Sequence, residues 1–242
     1  MRLVMNHCFA VATLLIGAGN ASADDAVVGT GAFTCSEAAL DIALSQLYPG
    51  ATFPGGRLSF NCGPTPVTIP ITSRKTLTGA TIVDGGSRIT LDGQDGAAHF
   101  NIVGAESRVE IRGLDLFRGY AVNSFGGAIN VGTGTTLLLA DTQIRASTAT
   151  LSGGAIHVEA NAGVRIERSS FVENTAANGG AIASNSPLTI IDSQFAGNQA
   201  NGGEGGAIQQ WFAALSLADV NFTDNAARHG GALLLRGIGA SG

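Results

Sequence analysis

Residues 153–174 read Gly-Gly-Ala-Ile-His-Val-Glu-Ala-Asn-Ala-Gly-Val-Arg-Ile-Glu-Arg-Ser-Ser-Phe-Val-Glu-Asn, and this stretch decides the fold because its pattern recurs. Gly-Gly-Ala followed by Ile or Leu occurs five times, at successive spacings of 27, 26, 26 and 25 residues. A fixed period of this length predicts stacked units, each of which buries its apolar face against its neighbours. The five glycine pairs are Gly126 and Gly127, Gly153 and Gly154, Gly179 and Gly180, Gly205 and Gly206, and Gly230 and Gly231.

Each repeat contains three short runs in which apolar and polar residues alternate. In the quoted repeat the apolar positions are Ile156 and Val158, Val164 and Ile166, and Phe171. Alternation with a period of two over so few residues predicts strands rather than helices. Glycine and asparagine between the runs suit tight corners. We therefore predict an all-β, single-stranded, right-handed parallel β-helix in which each repeat forms one coil, with coils about 4.8 Å apart.

Equivalent positions of successive coils should form ladders on three faces. The first face is predicted to contain Ile129, Ile156, Ile182, Ile208 and Leu233. The second contains Leu137 and Leu139, Val164 and Ile166, Leu188 and Ile190, and Leu215 and Leu217, and the third contains Leu116, Ile144, Phe171, Phe195 and Phe222. Asn174, Asn198 and Asn225 should stack at one corner, with their amides hydrogen-bonded along the column. The glycine pairs should lie at the opposite corner, where a Cβ atom would obstruct the close approach of the coils.

The alternation of Gly-Gly-Ala-Ile with Phe-x-x-Asn resembles the repeat of chlamydial polymorphic outer-membrane proteins. It is similar more widely to secreted bacterial right-handed β-helix proteins of pectate-lyase-like fold. The resemblance covers about residues 76–242, although Ile144 and Ser147 stand where Phe and Asn belong. It implies a bacterial protein exported to the extracellular space, the cell surface or the outer membrane. It does not select an activity, because this fold carries adhesins, passenger domains, lyases and hydrolases.

The two ends of the chain set the expected domain organisation. Residues 1–23 resemble a signal peptide, with Arg2, an apolar stretch over residues 8–16 and a small-residue cleavage site at residues 21–23. A short buried helix is the alternative for these residues. Residues 24–242 should form one β-helix domain, with an N-terminal cap over about 26–60 and regular coils over about 76–242. The last coil begins at Gly230 and is incomplete, so we expect a truncated chain, or else an end that docks on a partner.

Cys35 and Cys62 are the two cysteines that follow the signal peptide. An even pair in an exported chain predicts a disulfide, and two buried free thiols are the alternative. Between them, residues 36–44 predict a helix with Ser36 as the N-cap. Its apolar side contains Ala39, Leu40, Ala43, Leu44 and Leu47. Such a helix should cover the open end of the first coil, as terminal caps do in solenoids.

Charge is sparse and negative, with 13% charged residues and a formal net charge of −5. Lys75 is the single lysine, and the arginines are scattered without forming a basic stripe. This distribution disfavours nucleic acid as a partner. An outer surface rich in uncharged polar residues suits a glycan or a surface protein. After the signal peptide, no segment approaches the roughly 20 apolar residues of a membrane span.

One column of residues carries the candidate chemistry. Alignment of the repeats three residues before each third-face position places Asp141, Arg168, Asp192 and Asp219 in register. A polysaccharide lyase of this fold would use carboxylates of adjacent coils to hold Ca²⁺ and an Arg or Lys as base. Asp192, Asp219 and Arg168 are therefore the catalytic candidates. The alternative is a corner ladder in which Arg168 bridges Asp141 and Asp192 while Asp219 stays solvated.

Other polar positions favour ordinary structural roles. His157 and Glu159 should point outward, with Asn130 and Ala183 beside His157 on the neighbouring coils. We expect a solvated face there rather than a metal or acid–base site. The Asp- and Gly-rich residues 84–86 and 92–96 predict turns.

Trp211, which Phe212 follows, is the candidate ligand-binding residue. An exposed aromatic side chain on an elongated β surface can stack on a sugar ring or anchor a partner. The alternative is that both rings fold over the apolar end of the stack. Together, these observations predict a non-catalytic extracellular or cell-surface scaffold for adhesion or for glycan or protein binding, without a cofactor. Two alternatives stay open: a polysaccharide lyase, with Ca²⁺, or a glycoside hydrolase; and an inactive fragment of a larger autotransporter-like protein.

Overall fold

The computed structural model describes residues 25–31, 34–48 and 55–237, which wind into a right-handed parallel β-helix. Three parallel sheets run along the helix. A 13-stranded sheet contains the second and third faces, a seven-stranded sheet on the first face takes one strand from each successive coil, and a five-stranded sheet lies between the third and first faces. This confirms the fold that the repeats predict. The predicted signal peptide, residues 1–23, lies outside the described residues.

Within the described residues there is one α-helix, α1 (Glu37–Leu47). The strands, numbered along the chain, are β1 (Ala26–Val28), β2 (Gly56–Phe60), β3 (Val67–Pro70), β4 (Lys75–Leu77), β5 (Ala80–Asp92), β6 (Phe100–Ile102), β7 (Arg108–Phe117), β8 (Tyr120–Ala121), β9 (Ile129–Val131), β10 (Thr136–Ala140), β11 (Gln143–Arg145), β12 (Thr148–Ser152), β13 (Ile156–Val158), β14 (Gly163–Glu167), β15 (Ser170–Val172), β16 (Thr175–Asn178), β17 (Ile182–Ser184), β18 (Leu188–Ile191), β19 (Gln194–Ala196), β20 (Gln199–Glu204), β21 (Ile208–Trp211), β22 (Leu215–Ala218), β23 (Asn221–Thr223), β24 (Ala226–His229) and β25 (Leu233–Arg236).

The predicted ladders are confirmed by the strand register. Ile156 pairs with Ile129 on one side and Ile182 on the other, and the column continues through Ile208 to Leu233. The second-face and third-face columns also pair as predicted. These side chains form one continuous apolar core along the axis of the β-helix, except Leu217, which is 37% exposed. Because the aromatic rungs stack directly, Phe171 and Phe195 lie with ring centroids 4.6 Å apart and nearly parallel.

The expectation of three strands per coil is wrong, because most coils have a fourth. Strands β8, β12, β16, β20 and β24 form a five-stranded sheet of their own. Their inward residues are alanines, including Ala149 and Ala176, which pack in a small separate cluster. Because alanine is small and only weakly apolar, the alternation of apolar and polar residues in the sequence does not reveal this sheet.

The asparagine corner is confirmed as a hydrogen-bonded ladder. The Asn198 side-chain oxygen accepts from the backbone N–H and from the side-chain amide of Asn174, both at 3.0 Å. The Asn198 amide in turn donates to the Asn225 side-chain oxygen at 2.8 Å. Asn174 and Asn198 are fully buried, so the amides satisfy backbone groups that water does not reach.

The first glycine of each pair is required by its backbone conformation. Gly153 has a positive φ of 68°, which residues with a Cβ atom rarely adopt. The equivalent glycines of the other coils share this left-handed conformation, with φ between 56° and 67°; they are Gly126, Gly179, Gly205 and Gly230.

The second glycine of each pair is required by space, except in the last coil. A Cβ atom on Gly154 would lie 2.6 Å from the backbone of Thr175 and against the Gly180 carbonyl oxygen. Gly231 differs, because the nearest atom to a Cβ there is the Asn225 carbonyl oxygen at 3.5 Å, which is an ordinary contact. The described residues contain no further coil stacked on that corner. The predicted obstruction by a Cβ atom is therefore wrong at Gly231, and it is confirmed at the second glycines of the other four pairs, Gly127, Gly154, Gly180 and Gly206.

The first coils differ from the sequence interpretation at residues 84–86. These residues do not end a strand, because β5 runs through them without interruption. The extra residues form an irregularity in the pairing of β5 with β7, where Gly86 adopts a positive φ of 60°. The Asp84 carboxylate accepts the Gly86 N–H at 3.0 Å and stabilises this bulge. The turn predicted at residues 92–96 is present.

The N-terminal helix begins where the sequence predicts, and it packs on β1 and β2. The Ser36 hydroxyl accepts the Ala39 N–H at 3.2 Å as an N-cap. Lys75 anchors α1 to the coils, with its Nζ 2.6 Å from both Glu37 and Asp41 and a side chain that is 4% exposed. Burial disfavours the Glu37 carboxylate, but hydrogen bonds from Lys75 and Thr72 outweigh it and lower the pKa of Glu37 to about 2.

The predicted disulfide is present. Cys35 and Cys62 are bonded, with Cα atoms 5.6 Å apart. The bond joins the segment before α1 to the chain that follows β2, so it closes the N-terminal cap around the helix.

Candidate functional site

A column of left-handed residues turns the chain between the second and third faces. Asp141, Arg168, Asp192 and Asp219 have φ angles of 48°, 45°, 49° and 52°. Aspartate tolerates this conformation better than most residues, whereas arginine is unusual there. The backbone ladder continues through the bend, since the Arg168 N–H donates to the Ile191 carbonyl at 3.1 Å. The bend therefore keeps the coils paired while it places four exposed polar side chains along one corner.

These side chains line an open groove of about 630 Å³. Its floor is a buried hydroxyl ladder, in which the Thr142 N–H donates to Ser169 Oγ at 3.3 Å and the Ser169 N–H donates to Ser193 Oγ at 3.1 Å. Its wall on the third face is a column of uncharged hydrogen-bonding side chains. Gln143, Ser170 and Gln194 line the groove, and the register continues this column to Asn221 on the next coil. Sequence reasoning missed this column, although each member directly precedes a third-face core residue.

Arg168 does not bridge Asp141 and Asp192, which corrects the corner-ladder expectation. Its guanidinium lies 2.8 Å from Asp141 and 2.9 Å from Glu167, and Glu167 also pairs with Arg165 at 2.6 Å. These bonds, the Asp141 bond first, raise the pKa of Arg168. The repeat alignment does not identify Glu167 as a partner, but it lies two residues after Arg165 on the outward side of β14, which brings the two side chains together.

Asp192 and Asp219 occupy adjacent coils at the free end of this column. Both side chains are exposed, and neither has an ion-pair partner within residues 25–31, 34–48 and 55–237. Because neighbouring coils are about 4.8 Å apart, the two carboxylates can accept hydrogen bonds from hydroxyl groups of one ligand in the groove. The groove thus offers carboxylates, amides and hydroxyls as hydrogen-bonding groups. Its cation, Arg168, is already paired with Asp141 and Glu167.

His157 is not solvated, contrary to the sequence expectation. It is 8% exposed because the Phe125 ring covers it, with ring centroids 4.5 Å apart. Burial lowers the pKa of His157 to about 4, although the Glu159 carboxylate acts in the opposite direction. Glu159 accepts from the side chains of Asn130 and Thr133, so it stabilises the first-face corner. Phe125 belongs to a loop outside the repeat pattern, and no sequence signal points to this cover.

Residues 92–96 have the structural role that was expected. The Asp92 carboxylate accepts the Gln94 N–H at 2.9 Å within the turn. It also accepts from Arg118 Nε at 3.0 Å, which ties the turn to the next coil.

Trp211 and Phe212 differ sharply in exposure. Trp211 is half-buried with the Arg236 guanidinium 5.9 Å from its ring centroid, whereas Phe212 is 73% exposed. Their rings meet edge to face, 5.9 Å apart. The sequence expectation names Trp211 as the ligand-binding residue, but the structure presents Phe212 to solvent and places Trp211 behind it.

No protein-family model, no curated protein and no solved structure matches this chain. Among the described residues, no helix combines the length and the apolar character needed to cross a membrane. The same part of the chain contains no group of three or more His, Cys, Asp or Glu side chains arranged to hold a metal ion.

Proposed function

We propose that this protein is an exported, non-catalytic β-helix scaffold that binds neutral glycans along the corner groove at the bend between the second and third faces. The observation that carries the proposal is the repetition of hydrogen-bonding groups along that groove. Gln143, Ser170, Gln194 and Asn221 follow one another at the spacing of the coils, beside the left-handed column. One sugar residue of an extended polysaccharide is about as long as one coil is thick. Successive sugars would therefore meet equivalent side chains.

The charges of the groove favour an uncharged ligand. Arg168 is already engaged by Asp141 and Glu167, and the remaining charges, Asp192 and Asp219, are negative. An acidic polysaccharide would face these carboxylates without an available cation. Neutral hydroxyl groups, in contrast, can donate to carboxylates and exchange hydrogen bonds with amides.

The polysaccharide lyase alternative is less well supported, because its base is not available. A general base must be able to lose its proton near neutral pH. The carboxylates of Asp141 and Glu167 stabilise the charged form of Arg168 and raise its pKa still further. Under that alternative, Ca²⁺ would have to be held by Asp192 and Asp219. We therefore assign the groove to binding rather than to bond cleavage.

Three observations support export to the outside of a bacterial cell. The disulfide between Cys35 and Cys62 suits an oxidising compartment. Residues 1–23 resemble a signal peptide, and the Gly-Gly-Ala-Ile and Phe-x-x-Asn repeats resemble those of surface-exposed β-helix proteins. A role in adhesion follows from the same proposal, since a surface scaffold that binds glycans attaches the cell to material that carries them.

The test measures retention of the protein on a panel of neutral and acidic polysaccharides, with and without Ca²⁺, together with the length of each polymer. We expect retention on neutral polymers without shortening. The double variant Gln194→Ala/Asn221→Ala removes two hydrogen-bonding groups worth about 1 kcal/mol each, so binding should weaken at least tenfold. Gln199→Ala is the matched control, because Gln199 is exposed on a different sheet, in β20, and should leave binding unchanged.

Two variants separate binding from catalysis. Asp192→Asn and Asp219→Asn keep hydrogen-bonding capacity, so they should change binding less than threefold. Shortening of any polymer that requires Ca²⁺ and disappears in these variants would overturn the proposal in favour of a lyase. Retention of the Gln194→Ala/Asn221→Ala variant equal to that of the unmodified protein would exclude the groove as the binding site.

A further inference from the structure

Phe212 combines two features that cost stability. Its side chain is 73% exposed, and its backbone lies in the left-handed region with φ 53°. For a bulky aromatic residue this backbone conformation is a clear outlier, and left-handed non-glycine residues cost about 1 kcal/mol or more. A residue with both features does not serve the fold by burying apolar surface.

The ring of Phe212 is nevertheless held in place. Its backbone N–H donates to the Arg236 carbonyl oxygen at 2.8 Å, which fixes the corner to the next coil. The ring lies directly on Gly237 and occupies the space that a Cβ atom at this position would fill. Trp211 contacts the ring edge-on, at an interplanar angle of 79°. Phe212 is thus an exposed aromatic ring with a fixed orientation, which lowers the entropy cost of binding to it.

The fold does not require an aromatic residue at this corner. Two coils earlier, the same corner contains Asn161 in the same left-handed conformation, with φ 59°. In the coil between them, Asn185 and Ser186 make the turn before Pro187. Asparagine therefore satisfies the backbone geometry better than phenylalanine does.

The surroundings of Phe212 fit one face of a sugar ring. It is followed along the chain by Ala213 and Ala214, whose small side chains leave the face of the ring open. The adjacent Arg236 is paired with Glu204, so the site carries no free charge. The apolar face of a neutral pyranose can stack on such a ring, whereas a stable protein interface requires a much larger patch.

We infer that Phe212 is the stacking residue of a second glycan subsite, at the corner that precedes β22. The chemical class of the ligand, a neutral sugar, rests on the proposed function. The corner groove lies at the other end of β22, where Asp219 follows the strand. The four residues of β22 span about 13 Å between the two corners. Phe212 therefore forms a contact distinct from the groove.

The experiment uses Trp211, the only tryptophan of the chain, as a reporter beside the subsite. Soluble neutral hexasaccharides of glucose, mannose, galactose and N-acetylglucosamine are titrated into the full protein. Binding is measured by calorimetry, and Trp211 fluorescence is recorded in parallel. We expect calorimetry to resolve, beside binding in the groove, an event whose midpoint matches a shift of the Trp211 emission.

Phe212→Asn is the decisive variant, because asparagine suits the left-handed backbone. We expect it to unfold at the same or a higher temperature, to lose the Trp211 response and to weaken the binding event matched to that response about tenfold, while binding in the groove is unchanged. Phe212→Tyr keeps the ring and should bind within threefold of the unmodified protein.

Several outcomes would overturn the inference. Calorimetric binding with no Trp211 response, or an unchanged Trp211-linked event in Phe212→Asn, would refute the subsite while the proposed function stands. A lower unfolding temperature of Phe212→Asn would assign the ring a structural role instead. Absence of binding to every hexasaccharide would refute both proposals.

Discussion

Asn198 lies in the middle of the asparagine ladder, and its replacement by alanine measures how much that ladder stabilises the β-helix. The Asn198 side chain makes four hydrogen bonds to three residues: its oxygen accepts from the backbone and the side chain of Asn174, and its amide donates to Phe171 O and Asn225 Oδ1. Asn198→Ala leaves the buried Asn174 N–H and the Phe171 carbonyl without these partners. Each unsatisfied buried group costs about 1–3 kcal/mol, so we expect a loss of about 3–4 kcal/mol.

The assay is urea denaturation followed by circular dichroism, which gives the free energy of unfolding of each variant. Asn201→Ala is the matched control, because Asn201 is exposed and its replacement should change this free energy by less than about 0.5 kcal/mol. A loss below about 1 kcal/mol for Asn198→Ala would mean that the ladder stabilises the β-helix no more than surface contacts do.

Three further predictions concern the interior. Burial lowers the pKa of both His99 and His157 to about 4 in the folded protein. As the pH falls below 6.5, the two histidines therefore bind protons in the unfolded chain while they remain neutral in the folded one. Unfolding free energy should drop by about 2 kcal/mol per histidine between pH 7 and pH 5, and His99→Gln should halve that drop in urea titrations at the two pH values. Lys75→Met leaves Glu37 and Asp41 without their cation and should cost about 2–3 kcal/mol, seen as faster hydrogen exchange in α1, whereas exposed Arg88→Met should not change it. Gly154→Ala forces a Cβ atom onto backbone and should destabilise by about 3 kcal/mol in urea denaturation, whereas Gly231→Ala, at the equivalent corner with its nearest atom 3.5 Å away, should be neutral. Unchanged stability of Gly154→Ala, a pH-independent unfolding free energy, or unchanged α1 exchange in Lys75→Met would each contradict the corresponding argument.

The regular coils are predictable because every repeat uses the same alternation of core and surface positions and the same small residues at its corners. Ile156 and Phe171 mark core positions by alternation, and Gly154 marks a corner by the size of its side chain, so the register follows from the spacing alone. Departures from the repeat follow other rules. Gly231 keeps the motif without the crowding, because the crowding comes from the next coil and not from the motif itself. Strand β5 continues through Gly86 because the Asp84 side chain satisfies the bulge locally, which a glycine pair alone does not indicate.

The groove was predictable as a column but not as a set of contacts. The alignment of the repeats places Asp141, Arg168, Asp192 and Asp219 at one corner, and the structure brings all four into one groove. Which acid pairs with Arg168 depends on side-chain directions at the left-handed bend, where Glu167 lies closer than Asp192. The covering of His157 by Phe125 depends on a loop of irregular length. Contacts of this kind are set by tertiary geometry and not by the repeat.

The most direct test of the central claim is a crystal structure of the protein soaked with a neutral hexasaccharide that it retains. We expect an intact hexasaccharide along the corner groove, parallel to the axis, with hydroxyl groups hydrogen-bonded to Gln194 and Asn221 on adjacent coils. A cleaved product beside Asp192 and Asp219, or an intact sugar bound elsewhere with the groove empty, would contradict it.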